Sequence, residues 1–140
     1  MNQEYTISTD KTKLDLGVIH RFLSEEAYWS LNIPLEIVQR SIENSLCFGV
    51  YQGESQVGFA RVITDTATFG YLADVFILPE HRGKGLSKQL VAFIKAYPLL
   101  QGLRRMMLVT RDAHGLYEQF GFQPIDTPEN TMSIKAFTAY

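Results

Sequence analysis

The sequence predicts a mixed α/β domain, on three observations. Segments with strand period and segments with helix period alternate along the chain. Two apolar runs flank the turn Gln52-Gly53-Glu54-Ser55, as in a β-hairpin. An apolar strand over 69–78 ends before Pro79 and passes through the basic turn Arg82-Gly83-Lys84-Gly85 into an amphipathic helix.

The elements follow in order. Residues 5–8 form a short opening strand. Asp15 is an N-cap for a helix that carries Val18, Ile19, Phe22 and Leu23 on one face. That helix gives way near 25–29 to a loop or short turn. Pro34 suits the first position of a second helix, whose apolar stripe is Leu35, Val38 and Ile42. The hairpin strands cover 46–51 and 56–64. Leu86, Leu90, Ile94 and Tyr97 mark one face of the third helix, which stops before Pro98. Residues 105–109 read as a strand. Asp112 reads as the N-cap of a short helix through Phe120, with Gly121 just past its end. A final strand is expected over 133–137.

Composition narrows the function classes. At 140 residues, 46% hydrophobic and 20% charged, the chain has the makeup of one globular domain over 1–140. A net charge of −2 supplies no general surface for nucleic acid or membrane. Cys47 is the sole cysteine, so no disulfide framework exists and a reducing, cytoplasmic setting is expected. The polar opening residues have no signal-peptide core, and no apolar run reaches the roughly 20 residues of a membrane span. No His, Cys, Asp or Glu pair has the spacing of a metal site, so no metal is expected.

The glycine-containing turn is the main chemical signal. Gly83 and Gly85 let backbone approach a ligand closely and adopt positive φ. The first amides of the following helix point outward with the positive end of its dipole behind them. Arg82, Lys84 and Lys88 are three cations with no acid between them. The segment therefore suits a polyanion such as a pyrophosphate. It fits neither the P-loop pattern nor the dinucleotide fingerprint, which would need glycine where Lys88 stands.

This stretch, PEHRGKGLS, resembles the acetyl-CoA loop of the GNAT superfamily of N-acetyltransferases. That family's pattern is Q/R-x-x-G-x-G/A after a strand ending in V-x-P. Here Ile77-Leu78-Pro79 leads to Gly83 and Gly85, with Glu80 in place of Gln or Arg. Downstream, LYEQFGF is similar to the family's L-Y-x-x-x-G-F segment. With the lead-in helices the resemblance spans nearly the whole chain. It implies a mostly antiparallel twisted sheet of six to seven strands flanked by about four helices.

The resemblance also implies roles. Acetyl-CoA would be the co-substrate. Its pyrophosphate would rest on the amides and side chains of Arg82, Gly83, Lys84, Gly85, Leu86, Ser87 and Lys88. Its pantetheine arm would pair with Phe76 and Ile77 as an added strand. A backbone N–H of that strand would polarise the thioester carbonyl. Tyr117 would protonate the departing thiolate, as a phenol can; its alternative reading is an apolar-face residue beside Leu116 and Phe120. Asp112 is either a helix cap or a contact to the coenzyme arm. Tyr28 and Trp29 would line the acceptor pocket, with Phe69 and Tyr71 read more simply as core.

Asp74 is the candidate general base, since it lies two residues before Phe76 and on the same face. Its alternative is a hydrogen-bonded structural acid; Glu26 is a weaker candidate base. His20 and His81 read as packing or solvated residues, and His114 lies near the expected thiol position. The expectation is transfer of an acetyl group by direct attack of a primary amine, from a small molecule or an exposed peptide. The alternative is a non-catalytic acyl-CoA sensor or interaction module. A third reading, a protein-lysine or N-terminal acetylase, would use Glu25, Glu26 and Asp65 to hold a basic peptide. Dimers are common in the family, so a homodimer is compatible.

Overall fold

The computed structural model describes residues 4–140. Five strands form one sheet in sequence order: β1 (Tyr5–Ser8), β2 (Leu46–Gln52), β3 (Ser55–Thr64), β4 (Phe69–Ile77) and β5 (Arg105–Met107). The first four are antiparallel neighbours; β4 and β5 are parallel. A parallel pair needs a long crossover, which helix α3 (Leu86–Ala96) provides. Helices α1 (Leu16–Glu25) and α2 (Leu35–Glu43) precede the hairpin, and α4 (His114–Glu118) follows β5.

Alternation along the strands divides the core into two layers. Cys47, Phe59 and Phe76 face α1 and α2, where Ile19, Leu23 and Val38 are buried. Phe48, Ala60, Val62 and Leu72 face the opposite way, onto Leu86, Leu90, Val91 and Ile94 of α3. Phe22 stacks on Phe76 with ring centroids 4.1 Å apart, which fixes α1 against β4. Asp15 caps α1 as expected, accepting from the Val18 amide at 3.1 Å.

Several expectations need correction. The sheet has five strands rather than six to seven, and residues 133–137 form none. The β5 strand ends at Met107 instead of 109. Pro34 is the N-cap of α2, one position before its first helical residue. Tyr97 lies just past α3, as its C-cap. Asp112 does not cap α4: Ala113 holds that position without a side-chain bond, and the Thr110 hydroxyl accepts from the Ala113 amide at 3.0 Å. No described helix is long and apolar enough to cross a membrane.

Two irregularities in β4 shape the molecule. The β3–β4 register passes from Phe59↔Phe76 to Arg61↔Ala73, so β4 carries one extra residue there. Asp74, within that bulge, has φ +55, which is left-handed for a non-glycine residue. On the other side, the β4–β5 pairing ends at Tyr71↔Met107. Beyond it β4 runs on to Ile77 with no β5 residue paired to it.

Gly58 of β3 sits under the far end of β4. A Cβ there would come within 2.7 Å of the Ile77 side chain and 3.0 Å of the Phe76 carbonyl oxygen. Gly58→Ala is therefore expected to cost about 1–3 kcal/mol through overpacking. Urea denaturation measures this, and an unchanged midpoint would contradict it.

Candidate functional site

The loop between β4 and α3 begins as the short 3₁₀ turn Pro79–His81. Gly83 and Gly85 then take φ +78 and +76, so both glycines use the left-handed freedom for which they were singled out. Gly85 is the N-cap of α3 and offers no side chain to its amides. The first intrahelical acceptor is the Gly85 carbonyl, bound by the Gln89 amide at 3.1 Å. The amides of Leu86, Ser87 and Lys88 consequently lack helical partners, at the positive end of an 11-residue helix. Leu86 is buried beneath them; Lys84 and Lys88 are exposed.

Contacts not foreseen from the sequence hold this loop in place. His81 Nδ1 is hydrogen-bonded to the hydroxyl of fully buried Tyr5 at 2.8 Å, so His81 is an anchor and not merely solvated. Lys84 Nζ lies 5.6 Å from the Tyr5 ring centroid. Arg82 donates through Nε to the Ile77 carbonyl at 2.9 Å, tying the loop to the last residue of β4. The Leu78 amide bonds to Val57 of β3 at 2.8 Å. By strand alternation the Ile77 amide points the other way, to the side where β5 no longer pairs.

A second set of contacts lies at the β4 bulge. Trp29 Nε1 donates to Asp74 Oδ1 at 2.8 Å, and Arg61 Nε donates to Asp74 Oδ2 at 2.7 Å in an ion pair. Both carboxylate oxygens thus hold donors. Tyr28 reaches the segment after β5: its hydroxyl accepts from the Arg111 amide at 3.2 Å, and the Arg111 guanidinium lies 3.6 Å from its ring centroid. Adjacent residues of the α1–α2 connection therefore bridge β4 to the segment after β5. Tyr28 and Trp29 pack edge to face at 5.0 Å and stay exposed by 41% and 44%. Arg61 and Arg111 were missed in the sequence. The available signal for Arg61 was a lone cation in an apolar strand, opposite a lone acid in the next.

Tyr117, on α4, is 8% exposed and packs edge to face on Phe122 at 5.8 Å. Burial pushes its phenol above the usual tyrosine range, and the neighbouring Tyr28 and Asp112 add to the shift. The hydroxyl is therefore a protonated donor at neutral pH. Asp112 is exposed and close enough to act on Tyr117 electrostatically.

Other candidates have different duties. Asp65 accepts from the amides of Ala67, Thr68 and Phe69 and from the Thr68 hydroxyl, bonds that hold its carboxyl well below the usual carboxylate range and commit it to its own turn. Glu25 and Glu26 are exposed at the end of α1. His20 bonds to the Ile33 carbonyl at 3.0 Å, and His114 is exposed at the start of α4. Phe69 and Tyr71 stand where β4 pairs with β5. Cys47 is buried, and burial pushes its thiol up. Among the described residues no three His, Cys, Asp or Glu side chains converge as metal ligands would.

Comparison with known proteins agrees with this arrangement. The sequence model of the acetyltransferase (GNAT) family matches residues 16–122. A Gibberella zeae protein named as an acetyltransferase is 35% identical over 136 residues, covering 81% of this chain and 76% of its own. A crystal structure of a Xanthomonas campestris pv. campestris protein assigned to the GNAT family superposes with a TM-score of 0.92 at 54% identity, covering 94% of this chain and 93% of that one. A Clostridium acetobutylicum structure described as an acetyltransferase with acetyl-CoA shares the fold, at a TM-score of 0.69 and 17% identity over 94% of each chain. The chain belongs to the GNAT acetyltransferase family and is an N-acetyltransferase.

Proposed function

We propose that the side of β4 left unpaired by β5 binds acetyl-CoA, and that the protein passes its acetyl group to a primary amine, of a small molecule or an exposed peptide. The observation that carries this reading is one continuous feature. A strand whose end runs past its β5 partner, with the Ile77 amide on that unpaired side, leads directly into a left-handed glycine loop at a helix N-terminus. In this reading the amides of Leu86, Ser87 and Lys88, with Lys84 and Lys88, hold the pyrophosphate. Arg82 contributes mainly by fixing the loop, because its Nε is spent on Ile77. The strand at Phe76 and Ile77 supports the pantetheine arm, and an amide on its unpaired side polarises the thioester carbonyl. Asp112 borders the thiol end.

Acetyl-CoA supplies the activated acetyl group. The neutral amine attacks the carbonyl carbon, a C–N bond forms and the C–S bond breaks. Tyr117 gives its phenolic proton to the sulfur, and the surplus amine proton leaves to solvent. Tyr28 and Trp29 shape the acceptor entrance with exposed aromatic faces that suit a cationic or flat amine. Asp74, with both oxygens engaged, serves this reading as the residue that maintains the bulge and aims Trp29.

Three outcomes are expected. Gly85→Val forces a β-branched residue into the left-handed region at about 1–2 kcal/mol, and should weaken acetyl-CoA binding by roughly tenfold or more in calorimetry. Unaltered affinity would refute the cradle. Tyr117→Phe should reduce turnover far more than acetyl-CoA affinity. Because burial holds the folded phenol above the usual tyrosine range, the protonated acid persists through neutral pH. The alkaline fall in kcat that belongs to it should lie on the alkaline side of an ordinary tyrosine's and vanish in Tyr117→Phe; equal turnover in both proteins would remove the acid role. Asp74→Asn keeps a side chain that tolerates positive φ but loses the charge facing Arg61. It should lower stability and kcat/KM while leaving the acidic limb of the rate profile in place; loss of that limb would return Asp74 to the role of base.

A further inference from the structure

Arg111 follows β5 and is exposed, yet Tyr28 holds it in two ways. The Arg111 amide donates to the Tyr28 hydroxyl at 3.2 Å, and the guanidinium carbon lies over the Tyr28 ring, 3.6 Å from its centroid. One contact fixes the backbone and the other fixes the side chain. Arg21, Arg40, Arg104 and Arg105 are exposed as well, but among the described residues none of them lies over a ring. A guanidinium seated on a ring contributes its face and keeps the N–H groups of its edge. Those groups match a carboxylate or a phosphate through two parallel bonds. Among the described residues, no hydrogen bond or ion pair takes them up.

The Tyr28 hydroxyl adds a donor. It accepts from the Arg111 amide, and its own proton has no acceptor among the described residues. Nearby acids do not answer these donors. Asp74 already has a donor on each oxygen, and Asp112, next in the chain to Arg111, forms no ion pair with it. Tyr28 is also close enough to Tyr117 to act on its phenol electrostatically, which places the held donors near the proposed proton donor. The Tyr28 face toward Arg111 already carries a cation, so the complement of this corner is an anion. Trp29, edge to face with Tyr28 and 44% exposed, keeps an aromatic surface open beside it.

We propose that the acceptor is a small amine that also carries an anionic oxygen group, a carboxylate or a phosphate, and that Arg111 and the Tyr28 hydroxyl bind that group. This rests on the acetyl-CoA reading above and adds the acceptor's class to it. The anion seats on Arg111, the body of the molecule lies against Trp29, and the amine is thereby oriented toward the thioester. A polyamine, or a peptide amine with no anion beside it, gains nothing from the arrangement.

Thiol release from acetyl-CoA tests it, measured with amino acids, amino-sugar phosphates, polyamines, and analogues of the first two in which an amide or hydroxyl replaces the anion. Calorimetry with acetyl-CoA runs alongside. In wild type, kcat/KM should be at least about tenfold higher for an anionic amine than for its uncharged analogue, the size expected of hydrogen bonds to a charged group. The better of the first two sets distinguishes carboxylate from phosphate. Arg111→Gln should abolish the preference, chiefly by raising KM for the anionic amine, with acetyl-CoA affinity retained. Arg111→Lys keeps the charge without the fork and should recover part of the preference. Acetyl-CoA binding with turnover highest for uncharged or cationic amines overturns the proposal and leaves the coenzyme reading standing. So does a preference for anionic amines that Arg111→Gln does not reduce, and so does acetyl-CoA binding with no turnover of any anionic amine. Failure to bind acetyl-CoA overturns both.

Discussion

The ion pair of Arg61 and Asp74 is the contact on which the geometry of this molecule turns. A non-glycine residue at left-handed φ costs of order 1–3 kcal/mol, and it persists only where surroundings fix it. Here a guanidinium at 2.7 Å and an indole N–H at 2.8 Å hold the Asp74 carboxylate from two directions. The extra residue they secure lets β4 stay in register with β3 at both ends of its length while its course changes in the middle. That change of course coincides with the loss of β5 as a neighbour.

The two ends of this stretch of β4 are held by separate means. At the phosphate end, the loop is tied to β1 through His81 and Tyr5 and to β4 through Arg82 and Ile77. At the bulge end, two consecutive aromatic residues contact different elements, Trp29 on Asp74 and Tyr28 on Arg111. The glycines supply conformational freedom where a ligand approaches, and side chains from distant elements remove it everywhere else. Pre-organisation of this kind reduces the ordering cost of binding.

The sequence made the local features legible. The loop could be read because its determinants, two glycines and a helix start, lie within six residues of one another. The cap at Asp15 and the hairpin around Gly53 are local for the same reason. Partnerships across the sheet were not legible. Asp74 stood out in an apolar strand, but nothing local named Arg61, 13 residues away, or Trp29, 45 residues away. Asp112 was misread because the helix begins one residue later than its local sequence suggests, which leaves Ala113 at the cap position and Asp112 outside it. Residues 133–137 carry a strand's alternation, but alternation describes a segment's two faces and leaves its neighbour unspecified.

Trp29 is the only tryptophan in the chain, and it stands at the β4 bulge with its indole N–H on Asp74. Tryptophan emission from this protein therefore comes from one place. An indole that is 44% exposed and bonded to a carboxylate changes colour and yield when either water or that bond is displaced. Tyr28, 5.0 Å away, feeds it excitation energy. The setting of Trp29 thus equips the molecule with its own optical gauge, which requires no label and has no second fluorophore of its kind to blur the signal.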